Sequence, residues 1–198
     1  MPEQPVEIQS VIRRSLQGDQ TAYAELYDAF VEGVYRLCFS LLLNREDAED
    51  VMQESFVYAF KNLYRYDPER SAFKTWLYTI AISRCRNVYR RNKLPCLDIH
   101  QLLQKTPHSP NSELPEAAYA RQTVQAKLEE ALRGLSPLLR EAVVLRYGHA
   151  LTYREIAEVM DCPPKTAESR VRLAHDALRS LLQTEGTVLL QELLSFES

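Results

Sequence analysis

The chain has 198 residues, of which 45% are hydrophobic and 26% charged, and its formal net charge is −3. This composition is that of an ordinary globular protein, and the length suffices for one large domain or two small ones. No apolar run is long enough to cross a bilayer and the first residues lack the signal-peptide pattern, so we expect a cytoplasmic protein without membrane insertion. With only 5 glycines and no alternating apolar–polar runs, the sequence favours an all-α fold.

Two helices are predicted at the start of the chain. Residues 6–16 place apolar side chains on one side, and Gly18 follows as a stop signal. Asp19 is positioned to cap a second helix over residues 20–43, whose apolar stripe extends from Tyr23 to Leu41. These two helices supply part of a predicted core.

The third predicted helix has an acidic outer face. Asn44 is a candidate N-cap, and four carboxylates follow in the first turns, where the helix dipole favours negative charge. Residues 1–60 hold 4 Lys or Arg against 11 Asp or Glu, a net charge of −7. The apolar positions recur at helical spacing: Ala48, Val51, Met52, Phe56, Ala59, Phe60 and Leu63.

The next stretch is basic and aromatic. Ser71 is a candidate N-cap for a helix whose apolar stripe includes Phe73, Trp76 and Leu77, and Tyr78 is expected on its outer faces. Residues 61–93 hold 9 Lys or Arg against 2 acidic residues, a net charge of +7. A basic block among tyrosines in an acidic protein is typical of a phosphate-binding surface, whereas the alternative is a solvated helix face.

Residues 94–115 contain four prolines and are interpreted as an interdomain linker. Cys96, His100 and His108 lie there without a fourth ligand at a familiar spacing, so no metal or other cofactor is expected. The apolar patch 97–103 is consistent with a helical turn, with docking on a partner or with a flexible tether. The apolar, acidic tail 185–198 is consistent with an extension of the last helix, with packing on the domain or with contact to a partner.

The last third predicts four helices. One covers residues 116–132, and a second begins at Ser136-Pro137 and continues to Tyr147. A capping box, Thr152 with Glu155, opens a third helix, and Pro164 starts a fourth after a tight turn. The last two helices form the pattern of a helix-turn-helix, in which the second helix reads the DNA major groove; a simple helical hairpin is the alternative.

On these segments the chain resembles the extracytoplasmic-function (ECF) sigma factors of bacterial RNA polymerase, which belong to the sigma-70 family. The resemblance rests on DAEDVMQESF at 47–56, FKTWLYTIAISRCRN at 73–87, LSPLLREAVVLRY at 135–147 and LTYREIAEVMDCPPKTAESRVRLAH at 151–175. It implies an all-α protein of two small helical domains joined by a proline-containing linker. The implied division is a region 2-like domain at 1–93, the linker at 94–115, a region 4-like helix-turn-helix domain at 116–184 and a tail at 185–198.

The resemblance also implies three sets of binding residues. The implied polymerase-binding residues are Asp47, Glu49, Asp50, Gln53 and Glu54. The implied residues for the melted promoter −10 element are Tyr64, Arg65, Tyr66, Arg70, Lys74, Tyr78, Arg84, Arg86, Asn87, Arg90 and Arg91. The implied helix-turn-helix residues for the −35 element are Lys165, Thr166, Glu168, Ser169, Arg170, Arg172 and His175. Lys165, Glu168 and Leu173 depart from the small residue, the lysine and the arginine that are usual in the family, and with Glu168 and Leu173 this half is less basic than the family pattern.

The implied function is that of a non-enzymatic subunit that binds core RNA polymerase, recognises and melts promoter DNA and starts transcription. The implied partners are core RNA polymerase, promoter DNA as duplex and melted strand, and an anti-sigma factor. Two alternatives follow from the residues alone. One is a stand-alone helix-turn-helix regulator with a sensing or dimerising amino-terminal domain, and the other is an interaction scaffold without nucleic-acid contact.

Overall fold

The computed structural model describes the backbone of residues 5–93 and 116–182, and the side chains of residues 8–91 and 125–181. Every regular element in these two ranges is helical, which confirms the predicted all-α fold. The helices are α1 (Pro5–Leu16), α2 (Gln20–Leu42), α3 (Arg45–Lys61), α4 (Phe73–Lys93), α5 (Glu116–Gly134), α6 (Pro137–Val143), α7 (Tyr153–Met160) and α8 (Pro164–Leu182). A 3-10 turn covers Leu63–Arg65 and a π-helical turn covers Val144–Gly148.

Local capping fixes the ends of the first helices. The Asp19 carboxylate accepts hydrogen bonds from the backbone N–H groups of Thr21 and Ala22, and the Asn44 side chain accepts one from Asp47. Both predicted N-caps are therefore confirmed, and each satisfies a backbone donor that has no partner within its helix. The prediction of Ser71 as the N-cap of α4 is wrong by one residue. Ala72 takes the N-cap position, since its carbonyl oxygen accepts the first hydrogen bond of the helix, from the amide of Trp76.

Helices α2, α3 and α4 enclose the core of the amino-terminal half, residues 5–93. Leu26, Leu37 and Leu41 of α2 are fully buried, as is Leu77 of α4. Phe56 of α3 packs its ring against Tyr27, with ring centroids 4.8 Å apart. The apolar stripes predicted for these helices thus face one another, and the acidic side of α3 is left outward.

The carboxyl-terminal half, residues 116–182, contains the predicted helix-turn-helix. The Thr152 side chain accepts from the Glu155 amide while the Glu155 carboxylate accepts from the Thr152 amide, so the capping box of α7 is confirmed. Asp161 takes a left-handed conformation at φ 52°, which turns the chain between α7 and α8. Leu178 belongs to the core of this half, whereas Leu181, at the end of α8, is 50% exposed.

The predicted continuous α-helix from Ser136 to Tyr147 is wrong in its second part. The α-helix ends at Val143 and the chain continues as the π-helical turn. Val143, Val144 and Leu145 are consecutive and all buried. A regular α-helix with one exposed face would turn one of three successive side chains toward solvent, because it has 3.6 residues per turn. The wider turn ends beside His149, which is only 7% exposed.

The two halves pack against each other. Helix α4 lies against α7, and α2 lies against the π-helical turn. The guanidinium of Arg140 in α6 donates to the carbonyl oxygens of Leu132 and Leu41 at 2.8 and 2.7 Å. Because Leu41 and Leu132 lie in the last turns of α2 and α5, the buried cation sits where exposed carbonyls and the helix dipoles favour positive charge.

Candidate nucleic-acid and protein interfaces

The outer side of α3 forms an acidic face. Asp50, Gln53 and Glu54 are exposed, whereas Asp47 and Glu49 are half-buried. Glu49 accepts from Arg45 at 2.9 Å, one turn earlier in the same helix. This face presents anionic and amide oxygens on a rigid element, as binding to a basic protein surface requires.

The predicted site residues omit two exposed apolar side chains at one end of this face. Val57 is 53% exposed and Tyr58 is 42% exposed, one turn beyond Glu54. The signal was in the sequence, because Asp50, Glu54, Val57 and Tyr58 follow the spacing of a single helix face. Large exposed apolar side chains beside polar ones are typical of protein-binding surfaces.

Arg84 joins α4 to the acidic face. Its guanidinium donates to the Glu54 carboxylate at 3.0 Å and lies 5.0 Å from the centre of the Tyr58 ring. The structure therefore places Arg84 at the seam between α3 and α4, apart from the other predicted strand-binding cations. It orients two side chains of the acidic face instead.

Six of the predicted strand-binding residues are exposed on the loop and on α4. They are Tyr64, Arg65, Arg70, Asn87, Arg90 and Arg91. Tyr64 is 66% exposed, and the Arg65 side chain lies over its ring at 5.4 Å while donating to its hydroxyl at 3.0 Å. Arg90 donates to the Asn87 side chain one turn earlier. A ring with an adjacent guanidinium is suited to stacking on a base and binding its phosphate.

Tyr66 supports the loop from inside. Its hydroxyl donates to the Ser71 carbonyl at 3.0 Å, and its ring contacts Phe73 and Trp76 at centroid distances of 5.4 and 5.5 Å. Burial, and to a lesser extent the charge of Asp67, raises the pKa of the Tyr66 phenol. Tyr66 thus holds the loop against α4, and Trp76 packs on the core as the sequence predicted.

The remaining three predicted strand-binding residues contact the carboxyl-terminal half. Lys74 Nζ donates to the His149 carbonyl at 3.0 Å, and the Tyr78 hydroxyl lies 3.0 Å from His149 Nδ1. Arg86 holds the Glu141 carboxylate with two nitrogens, the shortest distance being 2.7 Å. We call these five residues the inter-half contact. The expectation that Tyr78 is on an outer face is wrong, since it is 2% exposed.

Burial shifts the pKa values of three residues of the inter-half contact, Lys74, Tyr78 and His149. It lowers the pKa of Lys74 and raises that of the Tyr78 phenol, because the charged forms of both side chains are disfavoured away from water. Burial, with the nearby charges of Lys74 and Arg36, lowers the pKa of His149 to about 3. The imidazole is therefore neutral at pH 7, and its Nδ1 shares a hydrogen bond with the protonated Tyr78 hydroxyl.

An open groove of about 610 Å³ adjoins this contact between α4 and α6. Arg86 and Arg90 line one side, and Pro137 and Leu138 line the other. Leu138 is 45% exposed there. The groove thus combines cations from the basic helix with apolar side chains from the other half.

The helix-turn-helix presents a second hollow, of about 480 Å³, on its outer face. Lys165, Glu168, Ser169 and Arg172 line it, and all four are exposed. The other predicted members, Thr166, Arg170 and His175, are half-buried. Tyr147 and Tyr153 also line the hollow, although neither was among the predicted site residues. Exposed hydrogen-bonding side chains on the first turns of α8 have the arrangement of a DNA-reading helix.

Two classes of site have no candidate in the part of the chain that the structure describes. Within those ranges no three His, Cys, Asp or Glu side chains are grouped to hold a metal ion. None of the described helices is long and apolar enough to cross a membrane. Cys96, His100 and His108, together with the patch 97–103 and the tail 185–198, lie outside the described residues.

Comparison with known protein families finds two matches in chain order. The model of sigma-70 region 2 matches residues 26–94, and that of sigma-70 region 4 matches residues 125–178. The chain is 32% identical to the RNA polymerase sigma-H factor of Pseudomonas aeruginosa, covering 88% of this chain and 93% of that protein. It is 29% identical to the ECF RNA polymerase sigma factor SigW of Bacillus subtilis, covering 89% of this chain and 97% of that protein.

Solved structures share the fold. CnrH in complex with the cytosolic domain of CnrY matches with a TM-score of 0.67 at 24% identity, over 89% of this chain and 97% of that one. The sigma factor RpoE of Bartonella quintana, in complex with the anti-sigma factor NepR, matches with a TM-score of 0.64 at 22% identity, over 83% of this chain and 98% of that one.

Proposed function

Since this chain belongs to the ECF sigma factors of the sigma-70 family, we propose that its two charged faces divide the work of transcription initiation between them. A sigma factor binds core RNA polymerase and directs it to promoters, where DNA is melted and transcription starts. The chain does this in the cytoplasm, without catalysing a covalent step of its own. The assignment of the two surfaces rests on one observation. The exposed acidic face lies on α3, whereas Tyr64 and the exposed cations lie on α4 and on the loop that precedes it.

The acidic face is the polymerase-binding surface. Asp50, Gln53 and Glu54 supply its polar contacts, and the exposed Val57 and Tyr58 supply apolar area at its end. Charged side chains set the orientation and rate of protein association, whereas a buried aromatic residue contributes most to its affinity. Tyr58, which Arg84 already orients, is the side chain that we expect to contribute most.

Assembly with core polymerase tests this surface. Asp50→Lys should abolish co-elution of the chain with core enzyme, because it places a cation against a basic partner surface. Asp28→Lys is the matched control, since it makes the same charge change on an exposed position of α2. Equal retention of polymerase binding by the two variants would refute the acidic face as the binding surface.

The loop and α4 hold the melted −10 strand. Tyr64 and Arg65 provide a stacking surface with an adjacent cation, and Arg90 and Arg91 extend the positive charge along the helix. Opening a duplex costs stacking and pairing energy, which a protein offsets by stacking on the exposed bases and neutralising phosphates. Lys74, Tyr78 and Arg86 complete this surface once they are free of the carboxyl-terminal half.

Strand opening tests this surface separately from assembly. With a promoter selected from random DNA by the reconstituted holoenzyme, Tyr64→Ala should lower open-complex formation on duplex DNA. A template with a pre-melted −10 bubble should restore much of the loss, because the cost of opening no longer has to be met. Tyr35→Ala, a tyrosine on α2 outside this surface, is the control. A Tyr64 variant that opens duplex DNA like the original chain would contradict the assignment.

The first turns of α8 read the −35 element. Lys165, Ser169 and Arg172 face the hollow of the helix-turn-helix, where phosphates and base edges are within reach of a major-groove helix. Arg172→Gln should weaken duplex binding by the holoenzyme and reduce the slope of log affinity against log salt by about 0.9 if it contacts one phosphate. An unchanged slope and affinity would remove Arg172 from the contact.

The domain division follows the same assignment. We assign residues 1–93 to polymerase and −10 binding and residues 116–184 to the −35 element, with 94–115 as the linker and 185–198 as the tail. Two contacts joined by a linker bind with an avidity that exceeds either single affinity, because the first contact gives the second a high effective concentration. Because the structurally similar RpoE of Bartonella quintana is a sigma factor in complex with the anti-sigma factor NepR, an anti-sigma partner is also proposed for this chain.

A further inference from the structure

One acidic side chain lies among the residues of α8 that face DNA in the proposed function. Glu168 is in the second turn of α8 and is exposed. It lines the hollow of the helix-turn-helix together with Lys165, Ser169 and Arg172. Among the described residues around that hollow, Glu168 is the single carboxylate. Because the DNA backbone is anionic and repels a carboxylate, a base edge is the part of the duplex that Glu168 can bind.

The Glu168 carboxylate is available to a ligand. Within the described ranges it forms neither a hydrogen bond nor an ion pair with another side chain. Lys165 precedes it and Arg172 follows it at the spacings that place side chains on one helix face. These two cations outweigh the single negative charge and reduce the repulsion between the carboxylate and the phosphates beside the groove. The carboxylate can therefore approach a base edge without first breaking a contact inside the protein.

The major groove offers few partners to a carboxylate. An ionised carboxylate only accepts hydrogen bonds, and the donors in the groove are the N4 amino group of cytosine and the N6 amino group of adenine. Guanine and thymine present acceptors there, which repel it. Adenine carries the acceptor N7 beside its amino group, whereas the groove edge of cytosine carries no acceptor. Cytosine is therefore the base that the Glu168 carboxylate fits best.

We propose that Glu168 is a specificity-determining residue of the −35 contact: its carboxylate accepts a hydrogen bond from the N4 amino group of one cytosine and so selects a C·G pair at that position. This inference rests on the proposed role of α8 in reading the −35 element. It adds the identity of one base, which the proposed function leaves open. Because the carboxylate also repels phosphates, Glu168 lowers the affinity for duplex DNA in general while it raises the discrimination between sequences.

Selection of duplex DNA by the holoenzyme, reconstituted from core polymerase and the full-length chain, tests the proposal. The probe is a library of duplexes that share one −10 element, selected beforehand from random DNA, and are randomised over the −35 region. Sequencing of the bound fraction gives the base preference at each position. The original chain should prefer cytosine about tenfold at one position. Glu168→Gln should move that preference to adenine, because a glutamine amide donates to N7 and accepts from N6.

Two further variants separate base reading from a change of charge. Glu168→Ala should lose the preference at that position without acquiring another. Glu158→Gln is the matched control, since it removes the same charge from an exposed position of α7 that does not line the hollow, and it should keep the cytosine preference. Affinities for four duplexes that differ only in that base pair then measure the size of each preference.

The outcomes separate this proposal from the proposed function. If Glu168→Gln and Glu168→Ala select the same bases as the original chain at every position, the cytosine contact is refuted, even where both variants bind all duplexes more tightly. An original chain without a cytosine preference at any −35 position refutes it as well. Failure of the proposed function gives a different result, in which the original holoenzyme selects no −35 sequence and Arg172→Gln leaves affinity and salt slope unchanged. The cytosine contact then falls together with the role of α8.

Discussion

His149 makes the stability of the folded chain depend on pH in a defined window. Burial lowers its pKa from 6.5 to about 3, and the charges of Lys74 and Arg36 act in the same direction. The unfolded chain therefore takes up a proton near pH 6.5, whereas the folded chain takes it up only near pH 3. The stability that the neutral His149 contributes is complete above about pH 6.5, and it is lost progressively as the pH falls from 6.5 toward 3.

The size of the loss follows from the same two pKa values. Between pH 7.5 and pH 5.5 the unfolded state gains about 1.4 kcal/mol from protonating this one imidazole. That is a tenfold shift in the folding equilibrium, and it is a sizeable fraction of the roughly 5–15 kcal/mol of net stability of a folded protein. The phenol of Tyr78 stays protonated throughout, because burial raises its pKa.

Urea unfolding at pH 7.5, 6.5 and 5.5 measures the effect. The control is His149→Asn, whose side-chain amide can donate or accept a hydrogen bond but does not titrate in this range. The original chain should lose about 1.4 kcal/mol more than His149→Asn between pH 7.5 and 5.5. Equal pH dependence of the two proteins would show that His149 titrates normally in the folded state and would refute the buried Tyr78–His149 contact.

Three further perturbations test one contact between the two halves, one close approach within the amino-terminal half and one helix cap. Arg140→Met should destabilise the chain by about 3 kcal/mol in urea unfolding, because it removes a buried cation that donates to carbonyls of both halves, whereas Arg133→Met at an exposed position should change little. Gly33→Ala should lower the free energy of unfolding in urea although alanine has the better helix propensity, because the added Cβ would lie 2.8 Å from the Tyr78 hydroxyl. Tyr78→Phe in the same chain should relieve that clash. A Gly33→Ala single variant as stable as the original chain would contradict the close approach. Thr152→Ala should cost about 1 kcal/mol by breaking the capping box, as measured by thermal unfolding, and Thr152→Ser should retain it.

The sequence by itself determined the helices and their polarity. Helical periodicity predicted the buried stripes of α2, α3 and α4, and side chains next to the helix ends predicted the caps at Asp19, Asn44 and Thr152. These features depend on residues within about one helical turn of each other, so they can be read without knowing the fold. The charge blocks were equally visible, because a charge count along the chain needs no structure.

Only the tertiary structure decided which side chains of α4 are exposed. Arg86 and Glu141 are 55 residues apart and Tyr78 and His149 are 71 residues apart, so no local pattern pairs them. Along α4 a buried tyrosine and an exposed one fit the same amphipathic pattern, since the ring is apolar and the hydroxyl needs only one partner. That partner is supplied by a helix turn from the other half of the chain, and its position follows from how the two halves pack.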